Sequence, residues 1–360
     1  MAKNKTVLLF SGFYIPHLGG VERYTEGFAK ELAKDHKVII ITSNVPQAKN
    51  HEKHGNIEIY RLPVHKMLNN RFPIPKKNKI YKELLNKIRN IKADNIVVNT
   101  RYYYTSFMGL KIAKEQGIQP VIIDHSSDYI LKPYEKATLG KVKRYNPAFY
   151  GVSKRTTEWL KQLNIDAKGV FYNSVPKLSF QKKYNEDTIK IVYAARLIKE
   201  KGVELAVSSF NELKDKYPIE LTIIGDGPML AELKANNPDI KFTGNIAHDK
   251  VIDAFKKSDI FVFPTLYPEG FPTVVLEAAQ AGCLVIATDR GGIRELIDDS
   301  NGYILEDDAS DLTDKLSYVL KHRDIIKDKG KRARDDISKK YTWEINGKII
   351  RKELSKYEKS

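Results

Sequence analysis

Residues 189–210 read IKIVYAARLIKEKGVELAVSSF. Ile189–Ala194 is a short β-branched run, 195–202 is a basic loop closed by glycine, and Val203–Lys216 repeats its apolar positions with a helical period. Strand, loop and helix in this order make the first half of a βαβ unit. The pattern continues downstream. Leu221–Ile224, Lys241–Thr243, Ile260–Phe263 and Leu284–Ala287 read as strands, with Asp249–Lys257 and Thr273–Ala281 as helices between them. Upstream, the same alternation has already run once through Val7–Phe10, Val38–Thr42, Ile57–Leu62, Ile96–Asn99 and Val121–Asp124. There, Val21–Lys34 sets Val21, Tyr24, Phe28 and Leu32 on one helical face. Such alternation predicts parallel sheets covered by helices. The expected fold class is α/β, with two Rossmann-like, doubly wound domains and an interdomain cleft facing the carboxyl ends of both sheets. The expected divisions are 1–172, a polar linker at 173–188 (NSVPKLSFQKKYNEDT), a second domain at 189–340, and a terminal segment at 341–360.

Composition narrows the partners. The 360 residues carry a net charge of +16. Residues 1–176 hold 30 Lys+Arg against 14 Asp+Glu, whereas 177–360 hold 31 against 31. An excess confined to one half points to an anionic partner for that half. Two segments concentrate it. Arg61 to Lys92 has ten bases and one acid, Glu83, and Lys132 to Arg144 has five bases and one acid, Glu135. Within the first, Lys79–Ile91 reads as an amphipathic helix with Ile80, Leu84, Ile88 and Ile91 on one face. The expectation is a peripheral anionic membrane contact, with much of the helix's apolar face packed on the first sheet. The single cysteine, Cys283, excludes an intrachain disulfide framework. MAKNKTVLLF reads as a first strand rather than a leader, and no run approaches the ~20 apolar residues of a membrane span. The expected location is the cytoplasm or the inner face of the cell membrane.

Four loops sit where such sheets place ligands. Pro16 to Tyr24 contains Gly19 and Gly20 before a helix, where free N–H groups can meet a phosphate. The 195–202 loop contains Arg196 and Lys201, cations suited to a diphosphate. Ile223 to Pro228 contains Gly225 and Gly227, also ordinary turn residues. The most informative is EGFPTVVLE, in which Glu269 and Glu277 bracket Gly270, Phe271, Pro272 and Thr273. Thr273 is the expected helix start, where backbone N–H groups can hold phosphate oxygens, and Glu277 lies one turn in, placed to bond ribose hydroxyls. Glu269 precedes the loop, within reach of a sugar joined to that phosphate.

In combination these residues resemble the family 4 retaining glycosyltransferases of the two-Rossmann GT-B class. The resemblance runs through GGVE at 19–22, His125 at a strand end, NSV after Tyr172, ARLIKEKG, GDGP, the spaced glutamates, and TDRGGIREL at 288–296. It implies that Arg196 and Lys201 bind the donor diphosphate, Glu277 the ribose and Glu269 the transferred sugar. Gly20 would shape the phosphate site from the first domain, and His125 would lie near the donor sugar. Asp124 and Asp128 are candidate acceptor contacts. The segment Tyr341 to Ser355, with Trp343, Ile345, Ile349, Ile350 and Leu354, would be a helix crossing back to the first domain. Ser174 departs from the Asn-Gly-Val common among relatives.

The chemistry implied is transfer of a hexose or N-acetylhexosamine from a nucleotide sugar, with a UDP-sugar favoured, to a lipid-linked or polymeric glycan acceptor. As the sugar–phosphate bond breaks, negative charge grows on the departing diphosphate, where fixed cations stabilise it. The sequence has no Asp-x-Asp pair, so neither a metal nor another cofactor is expected. Alternatives are a GDP-mannose-dependent mannosyltransferase, a nucleotide-sugar epimerase and a degenerate, non-catalytic binding subunit. A nucleic-acid binder is disfavoured because no recognition motif accompanies the charge.

Overall fold

The computed structural model describes residues 5–17, 19–65, 73–126, 129–185, 187–306 and 309–359. It divides into two compact units, 1–174 with 343–360, and 175–342. In these terms the first unit carries 35 bases against 17 acids, net +18, and the second 26 against 28, net −2.

The first unit contains β1 (Thr6–Ser11), β2 (Lys37–Ser43), β3 (His51–His54), β4 (Ile57–Leu62), β5 (Val64–His65), β6 (Ile74–Pro75), β7 (Asn95–Asn99), β8 (Val121–Asp124), β9 (Ala148–Gly151) and β10 (Ala167–Val170). Its helices are α1 (Gly20–Leu32), α2 (Lys79–Arg89), α3 (Tyr104–Gln116), α4 (Pro133–Lys143) and α5 (Lys154–Gln162). The main sheet runs β10-β9-β8-β7-β1-β2-β4-β3. Its pairs are parallel except β3 with β4. Val7 to Phe10 in β1 and Val38 to Ile41 in β2 are buried, as strands covered on both faces must be.

The second unit contains β11 (Ile189–Ala194), β12 (Ile219–Ile224), β13 (Lys241–Gly244), β14 (Ile260–Phe263), β15 (Leu284–Thr288) and β16 (Gly302–Leu305). Its helices are α6 (Val203–Leu213), α7 (Leu230–Asn236), α8 (His248–Lys257), α9 (Thr273–Gln280), α10 (Ile293–Leu296), α11 (Ala309–Lys321) and α12 (Asp324–Lys340). All pairs are parallel, in the order β13-β12-β11-β14-β15-β16. That is the doubly wound 3-2-1-4-5-6 arrangement, whose direction reverses between β11 and β14.

The last helix, α13 (Trp343–Leu354), packs within the first unit, against α1. The Trp343 ring lies 5.6 Å from that of Tyr24 and against Gly27, where an added Cβ would fall 2.2 Å from the indole. Arg351 pairs with Glu31 at 2.8 Å and Asp35 at 3.3 Å. The apolar pattern read from the sequence is corrected at Ile349, which is 47% exposed. Asn346 takes a buried place on that face instead, donating from Nδ2 to Ser174 Oγ at 2.8 Å.

Helix α2 forms with most of its apolar face turned to the sheet, as the sequence pattern predicts. Tyr81 and Ile88 are buried in the first core, with Leu84, Leu85 and Ile91 packed against it, so most of the apolar face covers the sheet. Ile80 alone among the four expected face residues stays exposed. Arg61 is also no surface charge: it is buried, with Nη1 on Glu52 at 2.7 Å and Nη2 donating to the Ile15 carbonyl at 2.9 Å.

Candidate functional site

In a doubly wound sheet the loops after the two strands at the switch point part to leave a crevice. In the second unit these follow β11 and β14. The first carries Arg196, with an exposed side chain, and Lys201 at the end of a short 3-10 turn. The second carries Glu269, which is ion-paired through Oε1 with Lys201 Nζ. The ammonium also lies 4.5 Å over the Tyr267 ring, a cation–π contact. Thr265 Oγ1 donates to Glu269 Oε1 at 3.3 Å. Burial raises the Glu269 carboxyl above its ordinary value, and Lys201 opposes this.

Backbone contacts lock the neighbouring loops together. Leu197 N–H donates to the Asp226 carbonyl at 2.9 Å, Met229 N–H to Leu197 at 3.3 Å, Leu266 N–H to Glu200 at 2.8 Å, and Gly292 N–H to Gly270 at 2.9 Å. Two glycines make this possible. Gly225 has φ +137°, and a Cβ there would lie 1.9 Å from the Ala195 carbonyl oxygen. Gly291 has φ +56°, and its Cβ would lie 1.7 Å from the Glu269 carbonyl oxygen. Gly227 lies in the same loop as Gly225, just before α7.

Helix α9 begins at Thr273, with Pro272 as its N-cap. Proline brings no side-chain acceptor to this end, although Val275 N–H donates to the Pro272 carbonyl at 3.1 Å, and the N-terminus of a helix is a place where an anion can be held. Phe271 is buried and its ring lies 5.3 Å from that of Tyr341. Glu277 is buried one turn into α9, and its Oε1 lies 2.7 Å from His248 Nε2. The sequence reading missed His248. Its helix was expected to begin at Asp249, whereas α8 begins at His248 itself.

In the first unit Gly19 is the N-cap of α1 in extended backbone, and Gly20 opens the helix. Glu22 bends over this end: a Cβ on Gly19 would meet Glu22 Oε2 at 2.3 Å, and Glu22 Oε1 lies 3.0 Å from His17 Nδ1. The N-terminus of α1 thus already has a carboxylate beside it. His125 follows β8, with its ring 4.8 Å edge-on from Tyr24 and Nε2 2.5 Å from Asn99 Oδ1. Asn99 in turn donates to Thr25 Oγ1. Burial lowers the His125 imidazole to about 3, so the ring is neutral. Nε2–H is then the donor to Asn99, and Nδ1 keeps its lone pair.

Asp124 is corrected. It is 1% exposed and ion-paired with Arg101, equally buried, so it is not placed to meet an acceptor. Asp128 lies outside the described residues. Among the described residues no cluster of three or more His, Cys, Asp or Glu is arranged to hold a metal ion. No helix among them is long and apolar enough to cross a membrane.

The comparisons with known proteins agree with this architecture. Residues 18–176 match the pattern described as Glycosyltransferase Family 4, and residues 174–336 match Glycosyl transferases group 1. The chain is 27% identical to an uncharacterized glycosyltransferase of Methanocaldococcus jannaschii, covering 96% of this chain and 97% of that protein. It is 25% identical to the phosphatidylinositol N-acetylglucosaminyltransferase gpi3 subunit of Schizosaccharomyces pombe, covering 93% and 77%. In fold it is similar to Anabaena HepE, a structure solved in complex with UDP-glucose. The TM-score is 0.76 at 15% identity, over 98% of this chain and 99% of that one. These matches span both units and remove the epimerase reading: the chain is a glycosyltransferase, a family 4 member of the GT-B class.

Proposed function

We propose that the protein is a retaining, metal-independent transferase moving a hexose or N-acetylhexosamine from a UDP-sugar to a lipid-linked or polymeric glycan acceptor. The observation that carries this reading is the Lys201–Glu269 pair, with Arg196 in the same loop as Lys201, at the carboxyl ends of β11 and β14. The UDP-glucose in complex with HepE supports a uridine donor. The name of the Schizosaccharomyces pombe relative supports an N-acetylhexosamine and a lipid acceptor. A GDP-mannose donor is the second reading.

In the proposed reaction the bond between the sugar's anomeric carbon and the β-phosphate oxygen breaks. The electron pair leaves with the diphosphate, beside Arg196 and Lys201, while the N–H groups at the start of α9 face the phosphate oxygens. The acceptor hydroxyl attacks from the same face, and its proton passes to the departing phosphate oxygen. Glu269 contacts the sugar and Glu277 the ribose. Gly225, Gly227, Gly270, Phe271, Pro272 and Thr273 shape the donor loops of the second unit, and Gly19, Gly20 and His125 are the proposed substrate contacts of the first unit.

An anionic membrane surface is the proposed partner of the first unit. Four of its large apolar side chains stand exposed in the two basic segments or beside them: Ile74, Ile80, Ile130 at 91% and Tyr134 at 59%. Aliphatic and tyrosine side chains among lysines suit a lipid–water interface.

A thermal-shift panel of UDP-glucose, UDP-N-acetylglucosamine and GDP-mannose tests the donor. Stabilisation by a UDP-sugar, followed by acceptor-dependent release of UDP, is expected. A protein indifferent to every nucleotide sugar overturns the proposal.

A further inference from the structure

His248 and Glu277 come from different helices, α8 and α9, yet meet at 2.7 Å. The Glu277 side chain is 10% exposed, and that of His248 is 36% exposed. Only one carboxylate oxygen is engaged: Oε1 accepts from His248, while Oε2 accepts no hydrogen bond from any described residue. A carboxylate oxygen has two lone-pair sites, so Oε1 can still take a second donor. Glu277 therefore presents a fixed carboxylate with most of its acceptor capacity unused, in a place where burial would otherwise penalise the charge.

We infer that His248 is a positioning residue for the donor: its Nε2–H fixes the Glu277 carboxylate so that the remaining acceptor sites meet the two ribose hydroxyls. This rests on the proposed assignment of Glu277 to the ribose. Three features favour it over a purely structural contact. A glutamate has three rotatable bonds, and holding it in one rotamer before binding removes an entropic cost that the nucleotide would otherwise bear. An imidazole N–H has a fixed direction in the ring plane, so it orients the carboxylate through one oxygen and leaves the rest as charge-assisted acceptors for hydroxyls. The donor also comes from the first turn of α8, a rigid element, rather than from a loop.

The test measures equilibrium binding of UDP and of 2′,3′-dideoxy-UDP, with the GDP pair in parallel, to the full chain and its His248→Ala, His248→Gln and Glu277→Gln variants. His248→Ala is expected to weaken the natural diphosphate about tenfold, in line with a hydrogen bond to a charged group. The dideoxy form, which has no hydroxyls to receive, should bind His248→Ala and the parent protein within about twofold of one another. His248→Gln keeps an N–H donor and should recover most of the loss. In turnover, His248→Ala should raise donor KM with kcat near the parent value. Equal losses for the natural and dideoxy diphosphates would mean that His248 only supports the fold, and unchanged binding of the natural diphosphate would mean that it does not position Glu277. Either result overturns the inference. Glu277→Gln separates it from the reading beneath. If that variant loses affinity while His248→Ala does not, positioning alone fails. If Glu277→Gln binds normally, the ribose assignment fails and takes the inference with it.

Discussion

Lys201 Nζ and Glu269 Oε1 form an ion pair across two strand-end loops, although the residues stand 68 positions apart in the chain. The pair fixes both side chains in a largely buried place, and the proposed function puts the departing diphosphate beside this cation. Arg196→Ala and Lys201→Ala should each lower kcat by roughly 10²–10³-fold, the usual effect of removing one preorganised stabiliser, with smaller changes in donor KM. Steady-state kinetics with varied donor decides it. If turnover survives both substitutions, these cations do not serve the leaving group. The same logic predicts that EDTA leaves activity intact, and loss restored by magnesium or manganese would assign the role to a metal.

Gly291 and Gly55 give a matched pair of substitutions. Both have positive φ, +56° and +59°, but a Cβ on Gly291 would strike the Glu269 carbonyl, whereas nothing lies within 4 Å of one on Gly55. Gly55→Ala should cost about 1 kcal/mol of stability and leave kcat unchanged. Gly291→Ala adds displacement of the Glu269 loop to that strain, so both Tm and kcat should fall. Equal behaviour of the two variants would show that the contact at Glu269 has no consequence for catalysis.

His125 supplies a pH prediction. Its folded value, about 3, lies below the ordinary 6.5. Between these values the unfolded chain binds a proton that the folded protein does not, so this contribution is fully present above 6.5 and is lost as pH falls toward 3. By pH 5 the loss is about 2 kcal/mol. Urea unfolding of the full chain at pH 7.5 and 5 should show a smaller acid-induced loss in His125→Asn than in the parent. Identical losses would show that the imidazole is not held neutral.

Membrane attachment should need negative lipid. Flotation with anionic vesicles at low salt should carry the protein, neutral vesicles should not, and moderate salt should weaken the interaction. Each base near the surface contributes on the order of 1 kcal/mol. Replacing Lys76, Lys77, Lys79 and Lys82 by Glu should therefore abolish flotation, and replacing Ile130 and Tyr134 by Ser should reduce it without altering the salt dependence. Indifference to anionic vesicles at low salt would leave the first unit's charge to a soluble anion.

The buried strands were legible because they need β-branched runs: Ile57–Leu62, Val121–Asp124, Ile189–Ala194 and Ile260–Phe263 have the ends read from the sequence. The strand at His51–His54 was not, because it is an antiparallel edge strand of exposed polar residues, HEKH, with no apolar pattern to read. Gly302–Leu305 escaped for a related reason, as an edge strand that opens on glycine. The order of the loops after β11, β12 and β14 could be read, because strand–loop–helix units put them at the carboxyl ends of the strands. The partners within them could not. Spacing along a chain says nothing of which charges meet, so Lys201 with Glu269, His248 with Glu277 and Arg101 with Asp124 emerge only in three dimensions. Ile349 shows the same limit, since apolar identity alone does not choose between two faces of a short terminal helix.

The unit at 175–342 begins and ends side by side, with Val175 N–H donating to the Tyr341 carbonyl at 3.0 Å and Val175 bridging Thr342. In covalent terms it is a self-closed insert of 168 residues placed ahead of the first unit's last helix. A ribosome therefore delivers most of the first unit early but α13 only after the insert, leaving the groove around Tyr24 and Gly27 without Trp343 while the insert is made and folds. Closure of the first unit thus waits on synthesis of the second: a chain lacking residues 343–360 keeps an intact insert and loses the closure of the other unit.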